Sequence, residues 1–124
     1  MKIIGIGTDI IEIARIRKAG ENNPGFLDRV LTEKEKEYCF SLGSRYQSVA
    51  GRFASKEAIV KALGTGFAAC SFTDIEILNN DQGKPEVLLK NKALILFEEL
   101  GGKEIQISIS HSKDTAVAFV IIQG

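Results

Sequence analysis

Gly51-Arg52-Phe53-Ala54-Ser55-Lys56-Glu57-Ala58-Ile59-Val60-Lys61-Ala62-Leu63-Gly64-Thr65-Gly66 forms most of the longest helical pattern in the chain, running from about Tyr46 to Leu63. Val49, Phe53, Val60 and Leu63 recur at helical spacing as an apolar stripe, and Gly64 is the expected stop. Glu57 and Lys61 stand four apart, with the acid on the N-terminal side, as in an ordinary solvated salt bridge. At about 100° per residue, however, the two flank the stripe instead of opposing it. Lys56 falls almost within the stripe, where a lysine must snorkel or have a task. Small residues Ala54, Ala58 and Ala62 alongside leave room for a ligand.

On the N-terminal side of this helix, Lys2 to Ile11 reads as a buried, isoleucine-rich strand running into Asp9. Glu12 to Ala19 follows as a short amphipathic helix stopped by Gly20, and Phe26 to Leu31 makes one or two further turns. Thr32 and Glu35 form a capping box that starts a helix over Glu33 to Leu42, closed by Gly43. Beyond Gly66, Phe72 to Leu78 alternates as a strand, and Asn79 to Pro85 is a hairpin loop leading to Glu86 to Leu89. Ala93 to Leu100 is a helix. Glu104 to Ser110 and Ala116 to Ile122 are the last two strands. The pattern predicts a single α+β domain over residues 1–124: one largely antiparallel sheet packed against helices, including the long central one.

Composition narrows the function. Lys and Arg number 16 and Asp and Glu number 16, so the bulk basic excess of a nucleic-acid binder is missing. The longest apolar run, Thr115 to Ile122, is far short of a membrane span, and the N-terminus lacks a signal-peptide core. Cys39 and Cys70 form no CxxC pair, and one histidine cannot build a zinc cluster. The expectation is a cytoplasmic protein with two reduced thiols.

Three segments can carry chemistry. Asp9, after Gly5-Ile6-Gly7-Thr8, either holds a hard cation such as magnesium or caps the helix beginning near Glu12. Glu57 could share that cation, and Lys61 could neutralise a phosphate. His111, at the end of Ser108-Ile109-Ser110-His111, either donates to a phosphate or is an incidental turn residue. No hydrolase elbow accompanies it, and Gly64-Thr65-Gly66 follows a helix, so no nucleotide-loop fingerprint applies.

Together these segments resemble the holo-acyl-carrier-protein synthase family, the short class of 4′-phosphopantetheinyl transferases, in order, spacing and total length. The resemblance implies attack of a carrier-protein serine on the pyrophosphate of coenzyme A, releasing adenosine 3′,5′-bisphosphate, in fatty acid biosynthesis. It makes Asp9 and Glu57 the magnesium ligands. Glu57, or a water beside it, would take the serine proton, and Lys61 would balance charge on the pyrophosphate. Coenzyme A would be bound by Arg52 at its 3′-phosphate, Lys61, His111 with Ser110 near it, and the backbone at Gly64, Thr65 and Gly66, with Gly83-Lys84-Pro85 also near the adenine. Acidic acyl carrier protein would dock on Arg15, Lys18 and Arg29, a cluster that otherwise reads as a solvated face. The family further implies a homotrimer with sites at subunit boundaries. Rival readings are a metal-dependent phosphodiesterase that directs water at phosphorus, and a non-enzymatic nucleotide-sensing scaffold.

Overall fold

The computed structural model describes residues 1–41 and 45–124. Its elements are β1 (Ile3–Glu12), α1 (Ile13–Asn22), α2 (Phe26–Val30), α3 (Glu33–Phe40), α4 (Arg45–Leu63), β2 (Ile75–Asn79), β3 (Pro85–Leu89), α5 (Asn91–Glu99), β4 (Glu104–His111) and β5 (Thr115–Gln123). The α+β class holds, with every strand pairing antiparallel.

The expected single sheet is two. Strands β1, β5 and β4 form one sheet in that order, and the β2–β3 hairpin forms another. The division follows from α4. Its Gly51, Ala54, Ala58 and Ala62 side approaches the three-stranded sheet, while Arg52 and Lys56 reach toward β2 and α3. A stripe was expected, but between Tyr46 and Leu63 only Lys61 is exposed; Gln47, Ser48, Phe53 and Glu57 are half-buried. A helix flanked by sheets needs small residues where backbones meet and apolar or paired residues elsewhere. Here it has both.

The closest approach is between β1 and α4. A Cβ on Gly7 would lie 1.8 Å from the Ala58 carbonyl oxygen, and one on Gly5 2.2 Å from that of Ala62. Glycine on the strand thus lets the helix lie directly on the sheet. At its end, α4 closes in a Schellman arrangement: Gly64 N donates to Lys61 O and Thr65 N to Val60 O, with Gly64 at φ +81.

Several boundaries differ from the sequence reading, each for a local reason. Strand β1 is not buried throughout: Ile3, Ile6 and Ile10 are exposed, because helices cover only one face of the sheet. Asp9 therefore lies inside a strand that continues to Glu12. Gly20 does not stop α1, which runs to Asn22; a side chain there would strike the Tyr46 ring at 2.7 Å, so the glycine serves packing. Phe72–Asp74 is a 3-10 turn, not strand, held by a Ser71–Asp74 capping box. Helix α3 ends at Phe40 with Ser41 as its cap; the expected stop at Leu42 and Gly43 lies outside the described residues.

The Thr32–Glu35 capping box is present as read. Its acid does more than cap. Glu35 Oε1 accepts from Thr32 N at 2.9 Å and from Lys56 Nζ at 2.6 Å, while Oε2 accepts from Ile77 N at 2.8 Å. Both Glu35 and Lys56 are fully buried. Cys39 and Cys70 are free thiols, both buried. Among the described residues no helix is long and apolar enough to cross a membrane.

Candidate active site

Asp9 faces α4 because residues 5, 7 and 9 share one side of β1, the side whose glycines admit the helix. There it meets Lys61, whose Nζ donates to Asp9 Oδ1 at 3.2 Å and to the Thr8 carbonyl at 3.0 Å. Glu57, one turn back on the same helix edge, completes the group. Burial pushes the Glu57 carboxyl above its ordinary value, the nearby Asp9 charge pushes it further, and Lys61 pulls it back. Asp9 and Glu57 therefore sense each other electrostatically although 48 positions separate them in sequence. The alternative in which Asp9 caps α1 does not hold: the cap position is Glu12, which makes no side-chain cap bond.

Two carboxylates and an ammonium at a partly open surface (Asp9 is 17% and Lys61 54% exposed) form a hard-oxygen pair beside a phosphate-seeking cation. Among the described residues no cluster of three or more His, Cys, Asp or Glu side chains is gathered. Two carboxylates nonetheless suit magnesium, which keeps several waters and takes other ligands from substrate phosphates. The donor set fits that ion and not zinc.

The remaining residues divide. Gly64, Thr65 and Gly66 follow Lys61 at the end of α4, with Gly64 and Gly66 both at positive φ (+81 and +64), and Gly64 lies about 10 Å of helix rise beyond Glu57. Arg52 is not brought to it. Nine residues from Lys61, it points about 180° away around the helix. It is buried, with Nε donating to Ile77 O at 3.1 Å and its terminal nitrogens to Ser48 and Asn79. His111 is not brought to it either. Its Nε2 lies over Gly51, where a Cβ would sit 2.9 Å away, and Gly51 precedes Glu57 by about 9 Å of helix rise. Ser110 does not accompany His111: it alternates to the outer sheet face, in a row with Val117 and Ile10.

Arg15 and Lys18 are exposed on α1, and Arg29 is exposed on α2 at the rim of a cleft of about 400 Å³ floored by Phe67 and Phe72. Sequence reading missed the aromatic stack beside the acidic pair. Phe53, one turn before Glu57, packs 5.4 Å from Phe72, which lies 3.8 Å from Phe67. In the sequence Phe53 is visible only as a member of the apolar stripe, and the count of seven phenylalanines says nothing about where they meet.

This strand–helix pairing of an acid in a glycine-spaced strand with a Lys-Glu-x-x-x-Lys helix defines a class: the chain belongs to the 4′-phosphopantetheinyl transferase superfamily, whose family model matches residues 5–120. Within it, the chain is similar to holo-[acyl-carrier-protein] synthases. One from Clostridium tetani is 53% identical over 122 residues, covering 98% of this chain and 97% of that protein. The crystal structure of the holo-[acyl-carrier-protein] synthase from Neisseria meningitidis superposes with a TM-score of 0.90 at 38% identity, covering 99% of this chain and 100% of that one. The synthase from Bacillus anthracis strain Ames, solved in complex with CoA (3′,5′-ADP), gives 0.81 at 45% identity, covering 97% and 96%.

Proposed function

We propose that the chain transfers phosphopantetheine from coenzyme A to a serine of apo acyl carrier protein, with Asp9, Glu57 and Lys61 as the reaction centre. The observation that carries this reading is the meeting of those three side chains from β1 and α4. Asp9 and Glu57 are the residues that would hold magnesium. Bound there, the ion would supply positive charge to the pyrophosphate. The serine oxygen forms a bond to the phosphorus bearing the pantetheine, and the phosphoanhydride bond to the nucleotide breaks. Adenosine 3′,5′-bisphosphate leaves with the bonding pair. Glu57, or a water beside it, accepts the serine proton. Lys61 balances the charge on the leaving phosphate.

The proposal extends to assembly. Within one chain Arg52 is buried against β2 and His111 at the end of β4 lies over Gly51, so neither shares a nucleotide end with Asp9. A second copy that brings its own exposed His111 to this Asp9 resolves that separation for the histidine. The outer sheet face supports such packing: Ile6, Ile10 and Phe119 are 59%, 63% and 42% exposed, unusual for large apolar side chains on one surface. A homotrimer with coenzyme sites at subunit boundaries, acting in the cytoplasm in fatty acid biosynthesis, is the assembly and setting we propose.

Mass spectrometry of apo carrier protein incubated with coenzyme A and this protein tests the function. The expected result is a mass gain of one phosphopantetheine that stops with chelator and returns with magnesium. Cleavage of coenzyme A with an unmodified carrier would favour hydrolysis instead, and full transfer in chelator would remove magnesium.

A further inference from the structure

Helix α4 meets the three-stranded sheet through glycines and alanines. Gly5 and Gly7 lie against the backbone at Ala62 and Ala58, and Ala54 joins them in the core. Such a surface permits close approach but has little relief, so it sets the rotation of the helix weakly. Yet the rotation matters. Neighbouring helix positions differ by about 100°, so a small turn about the axis carries Glu57 away from Asp9.

Apart from the bonds of the exposed Lys61 to Asp9 and Thr8, the directional contacts lie on the opposite flank. Lys56 Nζ donates to Val30 O and to Glu35 Oε1, both at 2.6 Å, with both side chains fully buried. Glu35 is itself fixed by Thr32 N and Ile77 N. One turn earlier, Arg52 Nε donates to the carbonyl of the same Ile77. Two cations on α4 are thus keyed, one through Glu35 and one directly, to the backbone of one residue in β2. A buried ion pair is a poor source of net stability, since desolvating two charges offsets most of their attraction. Its geometry, however, is specific: a lysine with one acceptor on α3 and another at the end of α2 admits one helix rotation.

We infer that the Glu35–Lys56 pair is a positioning device that sets the rotation of α4 and so holds the neighbouring Glu57 carboxylate against Asp9. The inference rests on the reading of Glu57 as part of the reaction centre. Neither Glu35 nor Lys56 touches substrate; they act through Glu57.

The test compares steady-state transfer by wild type, Glu35→Asp, the uncharged pair Glu35→Gln/Lys56→Met, and Glu57→Gln as control. Glu35→Asp keeps the charge and shortens the arm by one methylene, so it is the milder variant, and a thermal melt shows that the protein assayed is folded. The inference expects kcat to fall about tenfold or more in Glu35→Asp, while KM for the carrier protein, which docks elsewhere, stays within twofold. Where the double variant folds, it shows the same split even with its melting temperature near wild type. Wild-type kcat in Glu35→Asp, or in a folded double variant, would reduce the pair to a structural contact and overturn the inference. If Glu57→Gln keeps wild-type kcat, the reading of Glu57 itself is what fails.

Discussion

Lys61 Nζ lies 3.2 Å from Asp9 Oδ1, across 52 positions of sequence, because the glycines of β1 allow α4 to rest on the strand. That contact places a half-exposed ammonium beside two carboxylates. An exposed ion pair contributes little to stability, about 0–1 kcal/mol. In the proposed reaction its value lies in chemistry. Lys61→Gln should therefore leave the melting temperature nearly unchanged while lowering kcat about a hundredfold, the usual order for losing one stabilising donor to a developing oxyanion. Thermal melts and initial rates check both halves.

Gly7→Ala attacks the same junction from the strand. Its Cβ would lie 1.8 Å from a backbone oxygen, and neither partner is a side chain that can swing aside. We expect a cost of about 3 kcal/mol, read as a fall in melting temperature of roughly 10 °C. Transfer should fall with it, since Asp9 is two residues away. An unaltered melting temperature would contradict the packing described.

Arg15 stands on the exposed side of α1, with Lys18 one turn on. Arg17, between them in sequence, is instead drawn over the Tyr46 ring at 5.1 Å. Arg15→Glu should raise KM for the acidic carrier several-fold with kcat little changed, and the effect should shrink as salt shortens the screening length. An unchanged KM removes Arg15 from the docking surface.

The Cys39 thiol, fully buried, is pushed above its ordinary pKa chiefly by desolvation, against a hydrogen bond to Ser48. In the folded state it keeps its proton where the unfolded chain, from about pH 8.5 upward, loses it. The unfolded state then binds fewer protons, so stability declines as pH rises, by at most about 1.4 kcal/mol per pH unit from this group. Chemical denaturation of wild type and Cys39→Ala between pH 7 and 10 should show the steeper decline in wild type. Parallel curves would contradict it.

Much of this was legible in the chain itself. The long helix, its Gly64 stop, the Thr32–Glu35 capping box and the clean alternation of Glu104 to Ser110 follow from local rules, and local rules govern them in the structure. Asp9, Glu57 and Lys61 could be named from motif and spacing. What local patterns do not encode is partnership at a distance. Lys56 was visible as an odd lysine in an apolar stripe, but its acceptor sits 21 positions away in a residue already explained as a cap. Gly20 looked like a stop because its reason, the Tyr46 ring, lies 26 positions on. The division into two sheets likewise depends on which faces of α4 are smooth and which are charged, and that emerges only once the helix is packed.

The most decisive number is the transfer rate of Glu57→Gln with saturating coenzyme A, carrier protein and magnesium. Glutamine keeps the size of the side chain and removes its charge, along with the unfavourable burial of that charge, so the fold should be as stable as wild type or slightly more so. A loss of at least about a hundredfold in a folded protein is the result expected if this carboxylate takes the serine proton. A rate within twofold of wild type would contradict the assignment of the reaction centre.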